Sequence, residues 1–262
     1  MSETFLDKII AKTREKVARN RSLGYADAIE RRAKKVRSAK EANRFHSALS
    51  RRDRTNIIAE IKRASPSKGV IKADIDVAKV ARDYANGGAA AISVLTESEY
   101  FSGDMVDLVV AAKTVNIPVL RKDFMVDSYQ IFEAAAAGAD AILLIVAALS
   151  EAELAEFSAI ADGLGMDSLV EVHTDEELEI ARIRGAKIIG VNNRNLQTLE
   201  VSLDVSRELI ANRSEGVLMI AESGLSSKSE IEELKALGFD GFLIGETLMR
   251  TGNASETLGG LI

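Results

Sequence analysis

The sequence contains no cysteine, no tryptophan, two histidines and two prolines. Without cysteine there is no disulfide, no thiolate metal ligand and no thiol nucleophile. The two histidines lie far apart, at His46 and His173, and no ligand cluster surrounds either, so no metal site and no cofactor are expected. So few prolines, with no low-complexity stretch, leave no visible interdomain linker. Long apolar runs are also missing. The longest, Ala139 to Leu149, contains Asp140 and falls well short of the roughly 18 residues a membrane span needs. The N-terminus lacks the apolar core of a signal peptide, so a cytoplasmic protein without a membrane partner is expected. Excess positive charge is lacking too. The 34 Lys and Arg residues against 40 Asp and Glu leave a net charge of −6, which gives no support to a nucleic-acid partner. The local basic run Arg31 to Lys40 reads as a solvated helix face.

What remains is a chain of 262 residues rich in aliphatic side chains, an ordinary length for one barrel. Residues 1–50 are rich in Lys, Arg, Glu and Ala, with Leu6, Ile9, Ile10 and Val17 at helical spacing, and predict two or three helices. From Asn56 onward eight short apolar runs appear: Ile57–Lys62, Ala89–Leu95, Ile117–Lys122, Ala139–Val146, Ser168–His173, Ile188–Asn192, Leu218–Glu222 and Gly241–Ile244. Segments of helical composition lie between them, including Asp76–Gly87, Ser128–Ala137, Ser150–Leu164, Thr174–Arg184 and Ser229–Leu237. Several stop at a glycine just before the next run, at Gly88, Gly138, Gly185 and Gly238, a common helix stop. Repetition of helix, glycine and apolar strand predicts βα units on a parallel sheet. Eight units in this length fit an α/β closed barrel, a (β/α)8 TIM barrel with an N-terminal helical extension. The extension is placed at 1–50 and the barrel at 51–262, as one domain overall. No G-x-G-x-x-G follows any strand, which weighs against a dinucleotide-binding fold.

Alternation along a barrel strand sends one parity to the axis and the other to the helices. Charged side chains should not fit under the helix layer, so Glu60 and Lys62 are expected to point inward. Lys122 shares the parity of Leu120, and Glu171 that of Leu169 and His173. Asn192 and Glu222 close the sixth and seventh runs in the same way. All lie at the C-terminal ends of their runs, where barrels of this kind carry their active sites. Burying five ionisable groups at one mouth would cost several kcal/mol per ion if stability were the only purpose. Separately, Ser223-Gly224 follows the seventh run and Gly245-Glu246 the eighth. Loops after strands seven and eight, with a helix N-terminus, form the usual phosphate cradle of this fold. The Glu246 side chain should point away and leave only its N–H to an anion.

At these residues the chain resembles the indole-3-glycerol-phosphate synthase family of tryptophan biosynthesis. The matching segments are Ile58-Ala59-Glu60-Ile61-Lys62-Arg63-Ala64-Ser65-Pro66-Ser67-Lys68-Gly69, Leu120-Arg121-Lys122-Asp123-Phe124, Leu169-Val170-Glu171-Val172-His173, Ile189-Gly190-Val191-Asn192-Asn193-Arg194-Asn195-Leu196, Ala221-Glu222-Ser223-Gly224 and Leu243-Ile244-Gly245-Glu246. They span the barrel in order; Asn195 stands where an aspartate is common. The resemblance implies a carboxy-lyase that closes 1-(2-carboxyphenylamino)-1-deoxyribulose 5-phosphate to an indole, losing carbon dioxide and then water. It implies Lys122 as the acid that protonates the carbonyl, its ammonium giving up a proton more readily in a partly dry pocket. Lys62 is implied to hold anionic groups, the phosphate among them, and to assist acid catalysis, with Glu60 keeping it charged and oriented. Glu171 is implied as the base of the dehydration.

Asn192, Arg194, Glu222 and Ser223 would complete the polar wall, Ser65 would assist binding, and Ser223, Gly224, Gly245 and Glu246 would seat the phosphate. Phe124 is either one more packed aromatic or an apolar wall for the anthranilate ring. His173 is an alternative base of inward parity, otherwise assigned to loop packing, and the loop Ser65–Ile71 reads as a lid. The expected partner is a small phosphorylated molecule, and the expected state a monomer. Rival readings are a Schiff-base lyase or aldolase on a phosphosugar, with Lys122 or Lys62 as nucleophile, and a catalytically silent scaffold.

Overall fold

The structure is a computed structural model, and it describes residues 4–262. Its centre is a closed barrel of parallel strands: β1 (Ile57–Ile61), β2 (Ala91–Leu95), β3 (Val119–Lys122), β4 (Ala141–Ile145), β5 (Asp167–Val172), β6 (Ile188–Asn192), β7 (Leu218–Glu222) and β8 (Gly241–Ile244). Each strand pairs with its successor, and β8 returns to β1. Parallel neighbours require a crossover, here supplied by helices on the outside. Helices α4 (Val77–Asn86) to α10 (Lys228–Leu237) fill the crossovers, and α11 (Glu246–Arg250) and α12 (Ala254–Leu261) follow β8. Seven starts carry a side-chain cap, from Asp76, Asp104, Asp127, Ser150, Thr174, Ser227 and Asn253, each accepting a backbone N–H. Such caps contribute about 1 kcal/mol apiece. The glycines expected to stop helices do so: Gly138 and Gly238 close α6 (Ser128–Ala137) and α10 in the left-handed region, φ 96° and 118°.

Strand alternation has the expected parity. Ile57, Ala59, Val94, Val170, Val191 and Ile244 belong to the helix-facing core. Ile58, Leu120, Leu143, Leu169, Ile220 and Leu243 fill the axis. Three apolar runs begin later as strands than as sequence. The Ala89 and Ala139 N–H groups still close the preceding helices, on the carbonyls of Tyr84 and Ala134 at 3.0 Å each. Pro118 has no N–H for the ladder, and β3 starts after it.

One premise fails at Arg121. It points outward beneath the helices, 3% exposed. There it bonds Thr96 Oγ1 at 3.1 Å, the Gln130 carbonyl at 2.8 Å, Asp123 at 3.0 Å and Glu133 at 2.8 Å. A guanidinium fits under the helix layer once its donors are matched.

Three helices precede the barrel: α1 (Phe5–Ser22), α2 (Ala26–Arg37) and α3 (Arg44–Leu49). Near the mouth α1 ties to the loops after β2 and β3, through Lys12 to Glu99 at 2.6 Å and Arg21 to Asp127 at 2.7 Å. At the other end Phe45 and Leu49 of α3 join the axial cluster from below. The basic run is not all a solvated face. Arg37 is buried and meets Asp140 at 3.1 Å, as does Lys40. Among the described residues no helix is long and apolar enough to cross a membrane.

Candidate active site

Strand parity brings every expected polar residue to the C-terminal mouth. Lys62, just past the end of β1, sets its Nζ 2.7 Å from Glu60 Oε1. Lys122, the last residue of β3, donates to Glu222 Oε2 at 2.9 Å and to Glu171 Oε2 at 3.2 Å. The Glu60, Glu171 and Glu222 side chains are at most 3% exposed, whereas Lys62 and Lys122 are 16% and 15% exposed. Carboxylates therefore form the floor and ammoniums face the opening. Asn192 stands beside Glu171 and favours its charged form, and its Oδ1 accepts the Arg194 N–H at 3.0 Å. Arg194 also reaches across the mouth to Ser67 Oγ at 3.1 Å.

Two glycines make room for this floor. A Cβ on Gly190, in the middle of β6, would stand 2.0 Å from Glu222 Oε1; one on Gly245 would stand 2.3 Å from Glu60 Oε1. Only a hydrogen-sized group fits at either place. Gly190 was not singled out in the sequence, although a glycine inside an apolar strand often signals close approach.

Three carboxylates face two ammoniums, so one negative charge is in excess. Burial pushes the Glu222 carboxyl up to about 7; Lys122 opposes the rise, and Glu171 and Glu60 add to it. Glu222 Oε1 is buried with no hydrogen-bond partner among the described residues. Burial raises Glu171 as well, but Lys122, His173 and Asn192 outweigh it and hold this carboxylate below its ordinary range. Lys122 departs from expectation. Burial does weaken its charge, yet Glu222, Glu171 and Glu60 more than compensate and hold its ammonium above the usual lysine range. In this structure it is a firmly charged ammonium.

These groups line one cavity of about 530 Å³, a usual size for a small-molecule site. Glu60, Lys62, Ser65, Lys122, Phe124, Glu171, Asn192, Arg194, Glu222, Ser223, Gly224, Gly245 and Glu246 all reach its wall. Ser65 Oγ is buried without a partner. Ser223 and Gly224 both take positive φ, 66° and 81°. The Glu246 side chain turns to Arg250 at 3.0 Å. The loop read as a lid is partly ordered by a small hairpin, Ala64–Ser65 against Gly69–Val70. Phe124 packs near Phe101, ring centroids 6.3 Å apart, and Phe5 from α1 joins the same wall. Nothing local in the sequence marks Phe5, because only packing carries it to the mouth.

The sequence matches the family profile described as indole-3-glycerol phosphate synthase over residues 6–261. The chain belongs to the indole-3-glycerol phosphate synthase family. A relative of that name from Carboxydothermus hydrogenoformans is 44% identical over 258 residues, 97% of this chain and 98% of the relative. Another from Exiguobacterium sibiricum is 48% identical over 252 residues, covering 96% and 94%. The thiamine phosphate pyrophosphorylase structure from Pyrococcus furiosus superposes with a TM-score of 0.59 at 16% identity, over 79% of this chain and 93% of that one. At that identity the likeness shows the barrel alone. Family membership makes the chain an enzyme, a carboxy-lyase of tryptophan biosynthesis.

Proposed function

We propose that the mouth cluster divides the family's reaction among Lys122, Lys62 and Glu171, on 1-(2-carboxyphenylamino)-1-deoxyribulose 5-phosphate. The phosphate sits between Lys62, the Ser223-Gly224 turn and the Gly245-Glu246 N–H groups. Lys62 also meets the substrate's other anionic groups and assists acid catalysis, with Glu60 as its anchor. The anthranilate ring lies against Phe124, within reach of Arg194, Ser65 and Ser223. As the ring carbon attacks the carbonyl, Lys122 delivers a proton to the oxygen, and the carboxylate leaves as carbon dioxide. Glu171 then takes the proton whose loss aromatises the ring, and Lys62 as assisting acid gives the departing hydroxyl the proton with which it leaves as water, giving indole-3-glycerol phosphate. Asn192 holds Glu171, and Glu222 holds Lys122. An ammonium gripped by carboxylates is a poor Schiff-base nucleophile, which disfavours the lyase or aldolase reading.

The observation that carries this reading is Lys122 Nζ held between Glu171 and Glu222, at 3.2 and 2.9 Å, facing the cavity above the carboxylate floor. Its removal should cost about 10²- to 10⁴-fold. The test mixes enzyme and substrate and follows indole fluorescence, against the low background of a chain without tryptophan. Lys122→Met should stop the first ring closure. Glu171→Gln should spare it more and accumulate a decarboxylated intermediate. No fluorescence from micromolar wild-type enzyme, or no intermediate in the glutamine variant, counts against these roles. The protein is further proposed to act as a cytoplasmic monomer, its helical extension (1–50) and barrel (51–262) forming one domain, with no nucleic-acid partner.

A further inference from the structure

His173 lies one residue beyond β5 and does not line the cavity, yet it touches the floor from behind. Its Nε2 is 3.5 Å from Glu171 Oε1, on the oxygen that Lys122 does not use. That nitrogen is buried and has no hydrogen-bond partner among the described residues. The other face of the ring is pinned. Glu177, in α8 (Asp175–Ile183), brings its Oε2 to 3.2 Å from Nδ1, and the same oxygen accepts the His173 backbone N–H at 2.7 Å. An ionised carboxylate only accepts, so Nδ1 must carry a proton. If Nε2 then carried only a lone pair, two buried acceptors would face each other. Buried polar groups are seldom left so, and a proton on the Nε2 to Oε1 line removes the conflict.

We propose that His173, fixed by Glu177, shares one proton with Glu171 and is a positioning residue for the base of the dehydration. As an imidazolium it donates toward Oε1, keeps Glu171 ionised and leaves Oε2 for the chemistry beside Lys122. No bond forms or breaks: the proton stays on Nε2, and Glu171 Oε1 accepts it as a hydrogen bond. The gap needs to close by a few tenths of an ångström, and catalytic hydrogen bonds commonly tighten in the substrate complex. The charged groups that act most strongly on the ring are acidic, Glu171 beside it on β5, Glu177 from α8 and Glu222 on β7, and the Lys122 ammonium lies beyond Glu171 and Glu222. Burial works against the charged ring, but these carboxylates outweigh it and hold His173 above the ordinary histidine value. Exposure rises along the chain of side chains, from 2% at Glu171 to 12% at His173 and 18% at Glu177. The pair is thus in contact with bulk pH through the α8 side of the barrel.

This role requires Glu171 to be the base, so the test separates the two ideas. With only two histidines, 15N-histidine NMR resolves both rings, and His46→Gln assigns them; that variant, at the far end of the barrel, should keep full activity. His173 should titrate above about 6.5, with both ring nitrogens protonated below its midpoint, and Glu171→Gln or Glu177→Gln should lower that midpoint. His173→Leu should move the acid limb of kcat to higher pH by about one to three units, with KM unchanged, and His173→Gln, which keeps a neutral donor, should recover part of the loss. A His173 midpoint indifferent to Glu171→Gln overturns the pair. An acid limb unmoved in both His173 variants overturns its part in catalysis. Failure of Glu171 as base shows separately, as a Glu171→Gln enzyme that still dehydrates.

Discussion

Both ends of the barrel bury a cluster of charges, and the two clusters are built in opposite ways. At the N-terminal end a single carboxylate, Asp140, receives Arg37, Lys40 and Arg44 at 3.0–3.1 Å on Oδ1 and the Val119 N–H at 3.1 Å on Oδ2. Burial alone would raise Asp140, but Lys40 and Arg44 hold it below the ordinary aspartate range. At the mouth, three carboxylates share two ammoniums, and Glu222 Oε1 has no partner. One cluster satisfies its ion and joins the extension to the barrel. The other leaves a carboxylate short of a proton partner and an ammonium facing a cavity. A site that matched all its own charges would have nothing left for a substrate. Stability and chemistry are thus sorted to opposite ends of the same strands.

The largest expected effect that could break this contrast is on Asp140. Asp140→Ala leaves three cations around an empty space, and removing one partner of a buried pair costs about 3–5 kcal/mol. Thermal unfolding should show Tm falling by roughly 10 °C or more, while kcat/KM per folded molecule stays near wild type. An activity loss without a Tm change would reverse the assignment of that end.

A smaller effect is expected at Gly190. The added methyl of Gly190→Ala collides with Glu222 Oε1 and must push the carboxylate off Lys122. A displacement of about 1 Å costs on the order of 10²-fold in kcat. Steady-state kinetics checks this, and an alanine enzyme of full activity would show that the Glu222 to Lys122 contact is dispensable.

The smallest effect concerns pH and stability. Glu222 is raised to about 7 in the fold. Between the ordinary glutamate value and about 7 the folded state therefore binds more protons than the unfolded one, and stability falls as pH rises. Asp140 is lowered, so its contribution is present above the ordinary aspartate value and fades as pH falls. Glu222→Gln should raise stability by about 1 kcal/mol at pH 8 and flatten the decline, at the expense of activity. Denaturant melts across pH measure it. A destabilised glutamine variant would mean that the mouth is satisfied after all.

Much of the site could be read before any fold was seen, because alternation on a strand is a local property. Glu60, Lys62, Lys122, Glu171 and Glu222 share the inward parity of their apolar neighbours, and the mouth followed from their positions at the run ends. Where reading failed, the partner lay far away in sequence. Arg121 has the outward parity of its strand, and Thr96 from the neighbouring strand's end, 25 residues back, helps to accept its charge beneath the helices. Arg37 looked like surface until Asp140, a hundred residues on, accepted it. The direction of the Lys122 shift is not legible in the sequence, because one strand suggests burial whereas the three carboxylates that reverse it come from three strands.

Sequence alone determined the number of strands, the face each side chain takes and the family, since these rest on short-range periodicity and on contiguous motifs. Tertiary structure alone decided that Phe5 reaches the cavity, that Gly190 lies against the Glu222 carboxylate, that His173 stands behind Glu171 and that Lys122 is held in its charged form. Each of those depends on distances across the barrel, and electrostatic and steric energies are set by separation in space rather than along the chain.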